Sequence, residues 1–99
     1  MRLDNQTRDI VKNEVSQLLG NDVVVRLFGS RVDDAQRGGD IDLLIDVATP
    51  LTGRVRVECR LAARLFIKLG GRKVDVLIRE PNKPMSPIYE QALRQGVIL

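Results

Sequence analysis

Residues 27–45 read LFGSRVDDAQRGGDIDLLI, and two aspartates, Asp40 and Asp42, stand in a run that otherwise has the composition of a buried strand. Residues two apart on a strand point to the same side, so the two carboxylates share one face and the alternating apolar residues share the other. At ~3.3 Å of rise per residue their Cα atoms lie roughly 6.6 Å apart, within reach of two metal ions about 4 Å apart. The spacing predicts a Mg²⁺ site, because Mg²⁺ binds a few carboxylates together with waters and substrate phosphates.

A phosphate site is predicted just before this strand, where Gly29 and Ser30 follow a β-branched segment and open a helical turn. Glycine lets a phosphate approach the backbone, and the first turn of a helix offers unpaired N–H groups beside the serine hydroxyl. Taken alone, a serine at this position is more often a simple helix cap than a phosphate ligand, and the two roles are compatible. Arg31 is a further candidate for phosphate contact, or a solvent-facing partner of the aspartates that follow it.

A third carboxylate, Asp75, occupies a polar position of a later apolar strand. If that strand lies beside the strand of Asp40 and Asp42, Asp75 becomes a third metal ligand or the base that takes a proton from an acceptor hydroxyl. The chain contains no histidine, so acid–base chemistry falls to carboxylates, hydroxyls, lysines or its one thiol. A single acid on an exposed strand position also needs no functional explanation. Together these features indicate metal-assisted transfer from a nucleoside triphosphate.

Hydrophobic periodicity and capping residues predict one α/β domain over residues 1–99, with helices packed on a small sheet in the order αβαβαβα. The predicted helices cover 4–19, 30–36, a segment from Thr49-Pro50 or Thr52 to 69, and 86–95, and the predicted strands cover 23–28, 40–47 and 72–79. The first strand is β-branched and nearly continuous, which is typical of a strand buried on both faces. The apolar tail 97–99 is either an extra edge strand or a partner contact.

Composition excludes several classes of protein. The 99 residues are 43% hydrophobic, enough for one small core. One cysteine excludes an internal disulfide, and the polar start and the absence of a long apolar run predict a cytoplasmic protein without a membrane segment. The net charge of +3 has no clustered basic stripe, and aromatic residues are few, which argues against direct nucleic-acid binding.

The combined pattern resembles a known family. Gly29-Ser30, nine residues, Asp40-Ile41-Asp42 and a later Lys73-Val74-Asp75-Val76 look like the DNA polymerase β-type nucleotidyltransferase superfamily. Within it, the form LFGSRVDD…GGDIDLLI resembles the minimal nucleotidyltransferases, the MntA-like antitoxins that are paired with HEPN-domain toxins. The resemblance covers nearly the whole chain and implies a polymerase β-like fold with a small mixed sheet.

The resemblance also implies roles for particular residues. Asp40 and Asp42 would bind Mg²⁺, two ions in all, Asp75 would be the third carboxylate and general base, and Gly29 and Ser30 would hold the triphosphate of ATP. Larger members of the superfamily add a helical domain that holds the acceptor, so a partner is expected to supply it here.

That partner would be a HEPN-type RNase toxin in a hetero-oligomer with this chain, modified on a tyrosine by transferred AMP. The predicted function is therefore that of a protein adenylyltransferase and antitoxin. The alternative is a non-catalytic module of the same fold that neutralises its toxin by binding alone.

Overall fold

The structure, a computed structural model, describes residues 3–28 and 40–99. Its elements are α1 (Asn5–Leu19), β1 (Val23–Phe28), β2 (Ile41–Val47), α2 (Arg54–Lys68), β3 (Val74–Arg79), α3 (Pro87–Gln95) and β4 (Val97–Ile98). The strands form one sheet in the order β3-β2-β1-β4, with β2 parallel to β3 and the other pairs antiparallel. The predicted α/β domain with a small mixed sheet is confirmed, whereas the helical turn predicted over 30–36 lies outside the described residues.

The core lies between one face of the sheet and the helices α1 and α2. Alternate residues of β2 are fully buried on this face, as the sequence pattern predicts. Their partners in the same cluster are Val11 and Val15 of α1 and Leu61 and Leu65 of α2. Burying an aliphatic side chain of this size contributes about 1.5–3 kcal/mol, so this two-layer cluster is the main source of stability.

Helix α3 packs against β1 and reaches the outer strand β3, where the Tyr89 hydroxyl donates to the backbone carbonyl of Ile78 at 3.2 Å. Leu44, which points away from the main core, is also fully buried. Asp42, two residues nearer the start of β2 on the same face, is only half-buried. Solvent therefore reaches this second face at the start of β2.

Two of the three helix starts agree with the predicted capping. Asp4 accepts a hydrogen bond from the backbone N–H of Thr7 at 2.8 Å, which lowers the pKa of Asp4, and Ser86 accepts one from the N–H of Tyr89 at 3.3 Å. Pro87 follows Ser86 as the first helical residue, where its missing N–H costs nothing.

The predicted cap of α2 at Thr49-Pro50 or Thr52 is wrong. The helix begins at Arg54 after Gly53, whose backbone is left-handed with φ 72°, and no side chain caps it. The N–H of Leu51 in the preceding turn donates instead to the carboxylate of Glu80 at 2.9 Å. A distant carboxylate that follows β3 thus fixes this turn, and glycine is suited to the left-handed residue that follows.

The expectation that β1 is buried on both faces is also wrong. Val25 and Leu27 are buried in the core, whereas Val24 is 39% exposed and Arg26 is half-buried. Two helices, α1 and α2, cover the core face of the sheet. Among the described elements, the short α3 is the helix that packs against β1 on the second face, and alternate residues of β1 stay accessible.

The strand starts differ slightly from the prediction, and the tail forms the edge strand that was one of its two predicted alternatives. The strands β2 and β3 begin at Ile41 and Val74, one and two residues later than predicted. The tail is an edge strand, because β4 pairs with β1 and the N–H of Leu99 donates to the carbonyl of Val25 at 2.9 Å. The described elements follow the predicted order αβαβαβα, with β4 added after α3, and the second helix of that order falls on residues outside the described ranges. None of the described helices is both long and apolar enough to cross a bilayer.

The outer edge of β3 is held by side chains of both flanking helices. The N–H of Ile78 donates to the carboxylate of Glu58 on α2 at 2.8 Å, and the carbonyl of the same residue accepts from Tyr89. Arg54 pairs with Glu58 at 2.7 Å and with Glu80 at 3.5 Å. An edge strand otherwise presents unpaired backbone groups, so these contacts fix the strand that carries Asp75.

We expect Glu58→Ala to lower the free energy of unfolding by about 1–3 kcal/mol, because the buried N–H of Ile78 loses its acceptor. Glu58→Gln should cost less, since an amide oxygen can still accept. The matched control is Glu90→Ala, which removes an exposed pair with Arg94 and should change stability by less than about 0.5 kcal/mol. Urea unfolding of the three variants tests this, and equal losses for Glu58→Ala and Glu90→Ala would contradict it.

Candidate active site

The parallel pairing of β2 with β3 brings two of the predicted site residues together. Asp42 and Asp75 are register partners, and neighbouring strands lie about 4.8 Å apart. The N–H of Ile41 donates to the carbonyl of Lys73 at 3.1 Å, so the pairing continues to the residues just before each strand. Asp40 comes immediately before β2 and is half-buried, and Asp75 is exposed. We refer to Asp40, Asp42 and Asp75 as the acid site.

The electrostatics of the acid site are those of crowded, partly buried carboxylates. Burial raises the pKa of Asp42 above its ordinary value, and the charge of Asp75, a hydrogen bond between the two carboxyls and the charge of Asp40 raise it further. The ammonium of Lys73 acts in the opposite direction and lowers it. Without a cation the acid site therefore holds poorly compensated negative charge.

The acid site fits Mg²⁺ by the chemistry of its donors. Hard carboxylate oxygens on an accessible strand end leave room for waters and phosphates, and a divalent cation would relieve the repulsion around Asp42. Among residues 3–28 and 40–99, no three Asp, Glu, Cys or His side chains are already gathered into a metal-binding group. The backbone thus brings the carboxylates of Asp42 and Asp75 close enough to interact, without a ready-made group of three ligands among the described residues.

The predicted phosphate-binding residues Gly29, Ser30 and Arg31 lie outside the described residues, so their role stays a prediction. The described chain leaves β1 at Phe28, which is the register partner of Asp42, and resumes at Asp40. Both ends of the predicted phosphate segment are therefore attached to the sheet beside the acid site.

Sequence reasoning missed the importance of Lys73. It lies two residues before Asp75 and its carbonyl continues the strand ladder, so its side chain belongs to the same face as that of Asp75. The alternation in Lys73-Val74-Asp75 carried this signal. The sequence alone did not indicate that the lysine acts on Asp42 from the neighbouring strand.

Farther along β2, Asp46 lies on the same face as Asp42 in a different environment. It binds the guanidinium of Arg26, and Arg79 lies 3.3 Å from its other oxygen. One strand thus carries a carboxylate neutralised by two arginines and another that faces further carboxylates. Substitution of Asp46 is therefore a suitable control for substitution of Asp42.

Two clefts formed by the described residues lie away from the acid site. One, of about 170 Å³, lies between the end of α1 and the start of β1 and includes Lys12 and Leu99. Another, of about 280 Å³, includes Asp22, Asp46 and Ala48. Neither contains a predicted site residue, so the functional assignment depends on the chemistry of the acid site and not on a cavity.

Comparison with known proteins identifies the family. Residues 8–98 match the family model described as the nucleotidyltransferase domain. The chain belongs to this family. The predicted enzyme class, nucleotidyltransferase, is therefore confirmed. No curated protein matches the sequence.

Several solved structures share the fold of this nucleotidyltransferase. A mutant MntA–HpeT toxin–antitoxin complex with two aspartate-to-glutamate substitutions two positions apart matches with a TM-score of 0.69 and 20% identity, over 93% of this chain and 70% of that one. A toxin–antitoxin with AMP-PNP matches at 0.61 and 25% identity, over 88% and 70% of the two chains.

A complex of a tri-AMPylated HEPN toxin from Shewanella oneidensis with an MNT antitoxin also matches, with a TM-score of 0.58 and 22% identity. The match covers 92% of this chain and 70% of that one. Together with the family match, these likenesses confirm the predicted resemblance to the minimal nucleotidyltransferases.

We expect Asp42→Asn to stabilise the metal-free protein, by up to about 1 kcal/mol, because it removes a like charge opposite Asp75. The melting temperature should rise by a few degrees, at roughly 4–8 °C per kcal/mol for a domain of this size. Asp46→Asn, on the same strand and face, should lower it, because Arg26 and Arg79 lose their carboxylate partner. Thermal unfolding in a chelating buffer measures both changes in melting temperature. A lower melting temperature for Asp42→Asn would contradict the repulsion between Asp42 and Asp75.

The effect of Asp42→Asn should depend on pH with a definite sign. Well below the ordinary pKa of about 3.8, Asp42 is protonated in both the folded and the unfolded state and contributes nothing. As the pH rises, the unfolded state loses this proton first, because the pKa is raised only in the folded state. The advantage of Asp42→Asn over the wild type should grow until the pH passes the folded pKa and then stay constant, as melts in chelator between about pH 3 and about pH 8 would record.

Proposed function

We propose that this chain is a Mg²⁺-dependent nucleotidyltransferase that transfers AMP from ATP to a hydroxyl of a HEPN-type toxin and acts as the antitoxin of that pair. The observation that carries the proposal is the register pairing of Asp42 with Asp75, beside Asp40, on the accessible end of a parallel strand pair. Two similar structures add support: one toxin–antitoxin holds AMP-PNP, and in another a HEPN toxin is AMPylated.

Each residue of the acid site has a role in this proposal. Asp40 and Asp42 hold Mg²⁺, with two ions at the site and Asp75 as the third ligand. The bound metal supplies charge neutralisation on the phosphates. Asp75 is the most accessible of the three, and as general base it takes the proton of the acceptor hydroxyl.

The remaining parts of the reaction come from outside the described residues. Gly29, Ser30 and Arg31 hold the triphosphate, as the sequence predicts. The acceptor, a tyrosine hydroxyl by the predicted resemblance, comes from the partner in a hetero-oligomer. One solved mutant of the MntA–HpeT complex substitutes glutamate for two aspartates two positions apart, which is the spacing of Asp40 and Asp42.

The test is transfer of label from α-³²P-ATP to the co-purified HEPN-type partner in the presence of Mg²⁺. We expect the wild type to label the partner and the double variant Asp40→Ala/Asp42→Ala to do so at least about 100-fold more slowly, because several kcal/mol of charge stabilisation at the transferred group are lost. Asp9→Ala/Asp22→Ala, which removes two exposed carboxylates outside the acid site, is the matched control and should retain wild-type transfer.

A stable complex that transfers no label with Mg²⁺ or Mn²⁺ would contradict the enzymatic proposal for that pair. It would favour the alternative, a module that neutralises its toxin by binding alone. A cytoplasmic location, the assignment of residues 1–99 to a single domain and the lack of direct nucleic-acid binding stay predictions from the sequence.

A further inference from the structure

Lys73 lies next to the three carboxylates of the acid site, at the start of β3. The N–H of Ile41 donates to the carbonyl of Lys73, so the register of β2 and β3 continues to the residues before Ile41 and Val74. Lys73 is therefore opposite Asp40 and two residues before Asp75 on its own strand. Residues two apart share a face, so the lysine and Asp75 project from the same side of the sheet. Three carboxylates and one ammonium thus lie at the shared end of two parallel strands.

The ammonium of Lys73 is available to a ligand. Lys73 is exposed, and no salt bridge within 4 Å ties it to another described residue, although its charge lowers the pKa of Asp42. Elsewhere on this face, by contrast, Arg26 and Arg79 are both bound to Asp46. Among the residues that the structure describes, Lys73 is therefore the cation of this face that belongs to the acid site.

The strand order indicates whether Lys73 lies on the side of the nucleotide or on the side of the acceptor hydroxyl. The predicted phosphate segment is attached to β1 at Phe28, whereas Lys73 and Asp75 are on β3, two strand spacings or about 10 Å away. In phosphoryl transfer the attacking and leaving oxygens lie roughly in line through phosphorus. With the triphosphate held beside β1, pyrophosphate departs on that side and the acceptor oxygen approaches from the side of β3.

We propose that Lys73 is a catalytic residue of the acceptor side, whose ammonium contacts the attacking hydroxyl oxygen and stabilises the negative charge that develops there. The inference rests on the proposed function. In the step, Asp75 takes the hydroxyl proton, and a lone pair of that oxygen forms the bond to the α-phosphorus. The bond from the α-phosphorus to the bridging oxygen breaks, and its electron pair leaves with pyrophosphate. Lys73 stays protonated throughout.

The experiment compares Lys73→Gln, Lys73→Arg and the wild type, each as the complex with the HEPN-type partner. One measurement is the initial rate of AMP transfer at saturating ATP and Mg²⁺. The other is the Kd for α,β-methylene-ATP, which cannot transfer AMP, by calorimetry. Lys83→Gln, an exposed lysine in the connector beyond the opposite end of β3, is the matched control.

We expect Lys73→Gln to slow transfer about 10–100-fold, somewhat less than the 10²–10³-fold typical of removing a donor to an oxyanion in an enclosed site. The Kd for the analogue should stay within about 2-fold of wild type. Lys73→Arg should retain about a third or more of the rate, and Lys83→Gln all of it.

Wild-type transfer by Lys73→Gln would overturn the role of Lys73. A loss of transfer matched by an equal loss of affinity for the analogue would also overturn it. That result would mean that the lysine binds the nucleotide or holds the acid site in place. If the wild-type complex binds the analogue but transfers no AMP, the proposed function itself fails and the role of Lys73 fails with it.

Discussion

The parallel, in-register pairing of β2 with β3 is the constraint on which the acid site depends. The bond from the N–H of Ile41 to the carbonyl of Lys73 marks where this pairing begins. A shift of one residue would turn Asp75 toward the core and bring a valine opposite Asp42, because side chains alternate along a strand. The register therefore determines both whether the apolar residues of β2 and β3 pack in the core and whether Asp42 lies opposite Asp75.

The rest of the fold maintains that register. On one face, the buried aliphatic residues of β2 pack against α1 and α2, and this burial opposes any slip of the strand. At the free edge, Glu58 and Tyr89 bind the N–H and the carbonyl of Ile78 and tie β3 to both helices. Stability is thus concentrated around a site that itself opposes folding, because burial and the charge of Asp75 both raise the pKa of Asp42.

Elements with strong local signals could be predicted closely. Helix α1 and the cap of α3 at Ser86 were predicted from periodicity and capping chemistry, because both depend on neighbours within a turn. The start of α2 was not, since the turn before it is held by Glu80, which is 29 residues away from Leu51. The exposure of Val24 was missed for a similar reason, because it depends on how little of the second face α3 covers.

For the candidate site, the spacing of Asp40 and Asp42, their shared face and the candidacy of Asp75 could be predicted from the sequence, because alternation along a strand is a local property. The position of β3 beside β2, the pairing of Asp75 with Asp42 and the place of Lys73 in the acid site became visible in the folded chain. These relations join residues more than 30 positions apart. They arise from strand pairing selected by burial of the whole core, which no local pattern encodes.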